Sequence, residues 1–144
     1  MKKNMKVMVI VKANQDSEAG KLPPRELLEE MGKYNEQLVQ AGVMLSAEGL
    51  HASSKGKRVR FEGGNTTVID GPFAETKELV AGFWVWKVSS MDEAVEWLKK
   101  APFKGTEVEI RRIFEPEDFA AQMTPEMEAR EKRLRSELGD RRSA

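Results

Sequence analysis

Ala81-Gly82-Phe83-Trp84-Val85-Trp86-Lys87-Val88 reads as a β-strand with large apolar side chains on both sides. Successive side chains of a strand point to opposite faces, so Phe83 and Val85 share one face and Trp84, Trp86 and Val88 the other. Both faces need cover, which calls for a layered fold. Downstream, Ser90 followed by Glu93 makes a capping box, and Ala94, Val95, Leu98 and Ala101 supply the inner face of a helix that Pro102 helps to end. Thr106 to Phe114 then alternates, with Val108 and Ile110 opposed by Glu107, Glu109 and Arg111, as a last strand. Upstream, Lys57 to Phe61 and Thr66 to Asp70 flank Glu62-Gly63-Gly64-Asn65, a turn signal that predicts a hairpin. Val43 to Leu50 predicts another strand. Leu27, Met31, Tyr34, Leu38 and Ala41 recur at helical spacing behind Pro23-Pro24, with Gly42 as a stop, so a helix is expected over Pro24 to Ala41. Asn14 to Leu22 is polar and reads as a loop, and Met5 to Val11, apolar at almost every position, as a central strand.

This order is that of an α+β ferredoxin-like sandwich: an antiparallel sheet, two helices on one face, an inserted β-hairpin and a C-terminal helical tail. If Trp84 and Trp86 lie away from the helices, their burial needs a second sheet, because so large an apolar patch exceeds what a monomer usually exposes. A homodimer through the sheet face is therefore expected. The alternative is a monomer in which the hairpin, 57 to 70, or the tail folds over that face. The domain is expected over 1–119 and the charged helical tail over 120–144. In the tail Thr124-Pro125-Glu126 opens a helix, Met127, Leu134 and Leu138 form a thin apolar stripe, and Glu128 to Lys132 and Glu131 to Arg135 are spaced four apart. Such a helix serves either as an arm for a second subunit or as a frayed, solvated end.

Composition removes several function classes. Lys plus Arg and Asp plus Glu are both 24 in a chain of 144 residues, so the broad positive field needed to bind nucleic acid is missing. Without cysteine there is no disulfide, thiolate zinc site or cysteine nucleophile. The start, Met1-Lys2-Lys3-Asn4, is basic, but the apolar run after it ends at Val11, short for a signal sequence, and no stretch reaches membrane-spanning length. A cytoplasmic protein is expected. One histidine and acids without ligand spacing argue against a metal, and Gly63-Gly64 lacks the following helix of a phosphate loop, so no cofactor is expected.

The chemistry gathers around Asp70-Gly71-Pro72-Phe73 and the Ala74-Glu75-Thr76-Lys77-Glu78 that follows. An acid before Gly-Pro ends a strand in a tight turn, and the Asp70 carboxylate there can accept backbone N–H bonds of Gly71, Phe73 or Ala74, pair with a histidine, or do both through its two oxygens. The one histidine, His51, sits just beyond a strand in His51-Ala52-Ser53-Ser54-Lys55-Gly56; imidazole exchanges protons near neutral pH, and a carboxylate beside it fixes its tautomer. His51 and Asp70 are thus the candidate catalytic pair. Glu48, Arg60, Glu75, Thr76 and Lys77 are the candidate substrate-binding residues, Lys77 as a point charge and Arg60 as a planar fork for an anionic group. Each of these is also an ordinary surface residue type. Tyr34 falls on the inner helix stripe, where core packing with its hydroxyl at the rim is expected.

Asp70-Gly71-Pro72-Phe73 resembles the signature of the DGPF proteins, a branch of the YCII-related family. Glu48-Gly49-Leu50-His51, Arg58-Val59-Arg60-Phe61 and Ala81-Gly82-Phe83-Trp84 stand in the order of that branch, and the resemblance runs over residues 5 to 119. It implies a dimeric α/β barrel, in which sheets of two subunits face each other, and a polar cleft around His51. Some distant relatives carry a histidine on the first helix, paired with an acid; here that helix reads Met31-Gly32-Lys33-Tyr34-Asn35-Glu36, so the pair does not carry over. Two functions follow from these readings. One is binding of a small polar or anionic molecule near His51 and Asp70, extending to cofactor-free acid-base catalysis of the isomerase or lyase type. The other, implied by the resemblance, is a non-catalytic ligand-binding or regulatory module acting with a protein partner such as a sigma factor.

Overall fold

The computed structural model describes residues 4–143, with side chains described as far as Gly139. Met1, Lys2 and Lys3, the basic start, and Ala144, the last residue of the tail, lie outside the described residues. The chain forms two compact units, the first ending at Ile113 and the second beginning at Phe114. In the first unit β1 (Met5–Lys12), α1 (Gln15–Glu18), α2 (Arg25–Gln40), β2 (Met44–Gly49), β3 (Lys57–Glu62), β4 (Asn65–Asp70), β5 (Val80–Val88), α3 (Met91–Lys99) and β6 (Val108–Arg112) follow in order; α4 (Pro125–Ser143) belongs to the second. Four strands pair in the order β2-β5-β1-β6, and β3 and β4 make a separate two-stranded sheet. Every pairing is antiparallel. The architecture is therefore mixed α+β with antiparallel sheets, and neither sheet closes into a barrel.

Register explains the core. Val7 lies opposite Trp86 and Val9 opposite Trp84, and these four side chains close with Tyr34 and Leu38 of α2 and Ala94 of α3 into one buried cluster. Burying a side chain such as Leu38 contributes about 2 kcal/mol. Trp84 and Trp86 thus face the helices, so the condition under which their burial would need a second sheet is not met. The reason is specific: the Trp84 indole N–H donates to Asn35 Oδ1 at 2.9 Å, and the Tyr34 ring meets Trp84 edge-on at 6.0 Å. The opposite face carries Met8 against Val85 and Ile10 against Phe83, all half-buried.

Local signals account for most boundaries. The hairpin turns through Gly63 and Gly64, whose φ of 54° and 83° make the doubly left-handed turn that matches strand twist and suits glycine. Ser90 Oγ accepts the Glu93 N–H at 3.1 Å at the start of α3, while the Glu93 carboxylate accepts the Ser89 N–H at 2.8 Å. The last strand is shorter than its alternation: pairing with β1 begins at Val108 opposite Val11, where β1 shifts register. Asn14 to Leu22 is not simply a loop. Asn14 Oδ1 accepts the Ser17 N–H at 2.8 Å and Ser17 Oγ accepts the Asn14 N–H at 2.9 Å, a reciprocal cap that nucleates α1.

Tyr34 is buried as its position on the helix stripe implied, and its hydroxyl donates to the Trp97 carbonyl at 2.6 Å. Burial pushes its pKa up from 10.0 to about 12. A raised pKa means that the neutral phenol stabilises the fold fully below pH 10 and that this contribution is lost as pH rises towards 12. Tyr34→Phe should cost about 1 kcal/mol in urea denaturation at neutral pH, from the lost hydrogen bond, and should flatten the alkaline decline.

In the second unit a 3-10 stretch, Pro116–Gln122, precedes α4, and the rings of Phe114 and Phe119 lie 4.7 Å apart. Thr124 Oγ1 accepts the Met127 N–H at 3.2 Å as the helix cap, and Glu131 Oε1 meets Arg135 Nε at 2.9 Å. Met127, Leu134 and Leu138 remain exposed, as a thin stripe implies.

Candidate functional site

The Asp70-Gly71-Pro72-Phe73 turn closes onto the 3-10 turn Ser53–Lys55, and this contact shapes the ground around His51. The Gly71 N–H donates to the Gly56 carbonyl at 3.0 Å and the Phe73 N–H to Ser53 Oγ at 3.0 Å. Ser53 then passes the link on: its N–H donates to Glu18 Oε2 at 2.8 Å and its hydroxyl to Glu18 Oε1. Three segments distant in sequence, the end of α1, the 53–55 turn and the exit of the hairpin, meet at one serine. The approach is so close that a Cβ on Gly71 would lie 1.8 Å from the Ser53 carbonyl oxygen, so only glycine fits. The Gly71-Pro72 peptide is cis.

His51 is positioned by this frame. Before it, the Leu50 N–H donates to the Ala81 carbonyl at 2.8 Å and prolongs the β2–β5 pairing; after it, Ser53 is tied to Glu18. The exposed imidazole lines a groove of about 520 Å³ whose other charged side chains are Lys55, Lys57, Arg58, Glu18 and Glu78, with Phe73 beside them, and it makes no hydrogen bond or ion pair with the described residues. The Arg58 guanidinium lies 3.8 Å above the centre of the Phe73 ring, a cation–π contact that holds its fork over the turn. Ser53's hydroxyl and backbone N–H hold the Glu18 carboxyl below its usual range, so Glu18 stays ionised while it is spent on the frame.

The other candidates are dispersed. The Gly71 and Phe73 N–H groups of the turn go to Gly56 and Ser53 rather than to Asp70, whose carboxylate binds Lys57 Nζ at 2.5 Å across the base of the hairpin, an exposed pair. No hydrogen bond or ion pair joins Asp70 to His51. Arg60 lies out on β3, 3.6 Å from Glu62. Thr76 and Lys77 stand on a 3-10 turn and line a different hollow, with Asn14 and Thr106, and Glu75 immediately precedes that turn. Glu48 lies opposite Phe83 and lines a third hollow, against Trp84. Glu18, Ser53, Arg58 and Phe73 are not among the candidate site residues named from the sequence, although Ser53, Arg58 and Phe73 lie in the runs quoted there. The Asn14 and Ser17 cap was the available signal for α1, but nothing local marks Glu18 as the partner of Ser53, 35 residues away. Among the described residues no three His, Cys, Asp or Glu side chains gather as a metal site, and no helix is long and apolar enough to cross a membrane.

The family described as YCII-related domain matches residues 5–117. An uncharacterized protein of Rhizobium meliloti (strain 1021) is 32% identical over 73 residues, which are 51% of this chain and 59% of that protein. The match therefore spans less than two thirds of that relative's length.

Proposed function

The chain belongs to the YCII-related domain family, and from that premise we propose that it binds a small anionic molecule in the groove at His51. One observation carries this: an exposed imidazole without a partner among the described residues stands on a loop fixed on both sides, beside Lys55 and Arg58. A loop held in place before binding loses little entropy on binding. Arg58, already steadied on Phe73, offers a planar fork to a carboxylate or phosphate, and His51 and Lys55 offer donors from the facing loop. Asp70 acts through Lys57, keeping that ammonium at the groove edge. In a thermal-shift comparison of acetate, malonate and inorganic phosphate, malonate or phosphate should raise the melting temperature of the wild type, and His51→Ala and Arg58→Ala should each lose most of that rise. Equal shifts in all three proteins would remove the groove as the binding site.

A second reading, acid-base turnover of the bound molecule, is favoured by the same free imidazole, since proton transfer needs a ring nitrogen open to the substrate. His51 is then the proton carrier, with a group of the substrate rather than Asp70 orienting it.

The DGPF resemblance and the assembly belong to the same proposal. The order β2-β5-β1-β6, with α2 and α3 packed on one face, is the arrangement expected of a ferredoxin-like sandwich. Met8, Ile10, Phe83 and Val85, on the face away from the helix-side core, are the surface through which two subunits would pair as a dimeric α/β barrel. Native mass at micromolar concentration should be that of two chains; the mass of one chain would contradict the pairing.

A further inference from the structure

We propose a second binding site, separate from the His51 groove, that takes a small molecule with a planar apolar ring and a protonated amine. Two adjoining hollows of about 450 and 380 Å³ share Val11, Pro23, Ala81 and Phe103 and open between the first part of α2 and the sheet. Their size is that of small-molecule sites, which are lined mainly by apolar side chains with a few polar groups that fix orientation.

The floor is aromatic. Trp84 and Phe103 meet at 5.9 Å with planes 74° apart, an edge-to-face corner against which a flat ring can stack. Asn35 Oδ1 caps the Trp84 indole N–H, so the cleft meets the tryptophan as hydrocarbon. The rim is acidic. Glu26 and Glu30 lie four residues apart on α2 and therefore on one helix face, and Glu48 stands at the other end of the cleft. None of these carboxylates is paired with a cation among the described residues. Of the two lysines at the cleft, Lys12 is held by Glu109 at 3.3 Å, which leaves Lys104 alone against three acids. An aromatic floor under an acidic rim favours a cationic head over an anionic one, the reverse of the preference proposed for the His51 groove.

The test is an NMR titration of the full chain with 2-phenylethylamine and with 3-phenylpropionate, which share a ring and differ in the charge of the head. The Trp84 indole N–H resonance, assigned with Trp84→Phe, should shift saturably with the amine, and the carboxylate should bind about tenfold or more weakly, as expected for opposite charges at this rim. Glu26→Gln with Glu30→Gln, on exposed positions that leave the core untouched, should weaken the amine about tenfold and, because the same repulsion is relieved, bind the carboxylate more tightly than the wild type does. Equal affinity for both compounds, an amine affinity unchanged in the double variant, or no saturable shift at Trp84 would each overturn the proposal.

Discussion

Gly71→Ala is expected to lower stability by about 2 to 3 kcal/mol, the cost of forcing a methyl group into a closed contact. Its Cβ would stand 1.8 Å from the Ser53 carbonyl oxygen and 2.7 Å from the carbonyl carbon, and both are backbone atoms that no side-chain rotation can move away. The turn must lift off, and the Gly71 to Gly56 and Phe73 to Ser53 hydrogen bonds go with it. Gly56→Ala is the matched control. Its Cβ would meet the same oxygen at 3.4 Å, an ordinary contact, so a change within about 0.5 kcal/mol is expected. Urea denaturation of the two variants separates a steric lock from a general intolerance of the loop; equal losses would refute the lock.

Ser53→Ala should be the next largest loss, about 1 to 2 kcal/mol, because the Phe73 N–H is left without its acceptor in a partly buried place. It should also change the response to acid. Glu18 is held below its ordinary value of 4.5 chiefly by the Ser53 hydroxyl, so its ionised form contributes stability above that pH, and the contribution is lost as pH falls through the lowered value. Removing the hydroxyl takes away the larger of the two lowering contacts and leaves the Ser53 N–H, so the folded value moves back towards the unfolded one. The decline in urea midpoint between pH 7 and pH 3 should therefore be shallower in Ser53→Ala than in the wild type, while Tyr34→Phe should leave the acid side unchanged and alter only the alkaline side. A parallel decline in Ser53→Ala would show that Glu18 is not tied as described.

The contrast between fold and site has a physical source. β5 was readable because its apolar alternation is local, and the hairpin because Gly63-Gly64 sits between two β-rich runs; both depend on residues within a few positions of each other. Alternation also separated Phe83 and Val85 from the tryptophans. What it lacked was the side on which α2 would lie, a choice made by Asn35 and Tyr34 meeting Trp84 across 49 and 50 residues of chain. The grouping of the candidate site residues depends on distant contacts in the same way. Asp70 and His51 looked like partners because both flank loops at strand ends, yet the pairing that forms is Asp70 with Lys57, directly opposite it in the hairpin register. Glu48, Thr76 and Lys77 have the right chemistry and line other hollows. The Asp-Gly-Pro-Phe run matters less for its carboxylate than for the glycine that permits contact and the Phe73 N–H and ring that complete it.

Because the chain has one histidine, His51 gives a single imidazole Cε1–H resonance, and its shift on addition of malonate is the most direct test of an anion-binding groove built by the docked turn. A saturable shift is expected in the wild type, weakened at least about tenfold in Arg58→Ala, where the fork is lost, and again in Gly71→Ala, where the turn is displaced. A resonance left unmoved by malonate and by phosphate, or one that saturates equally in all three proteins, would contradict such a groove.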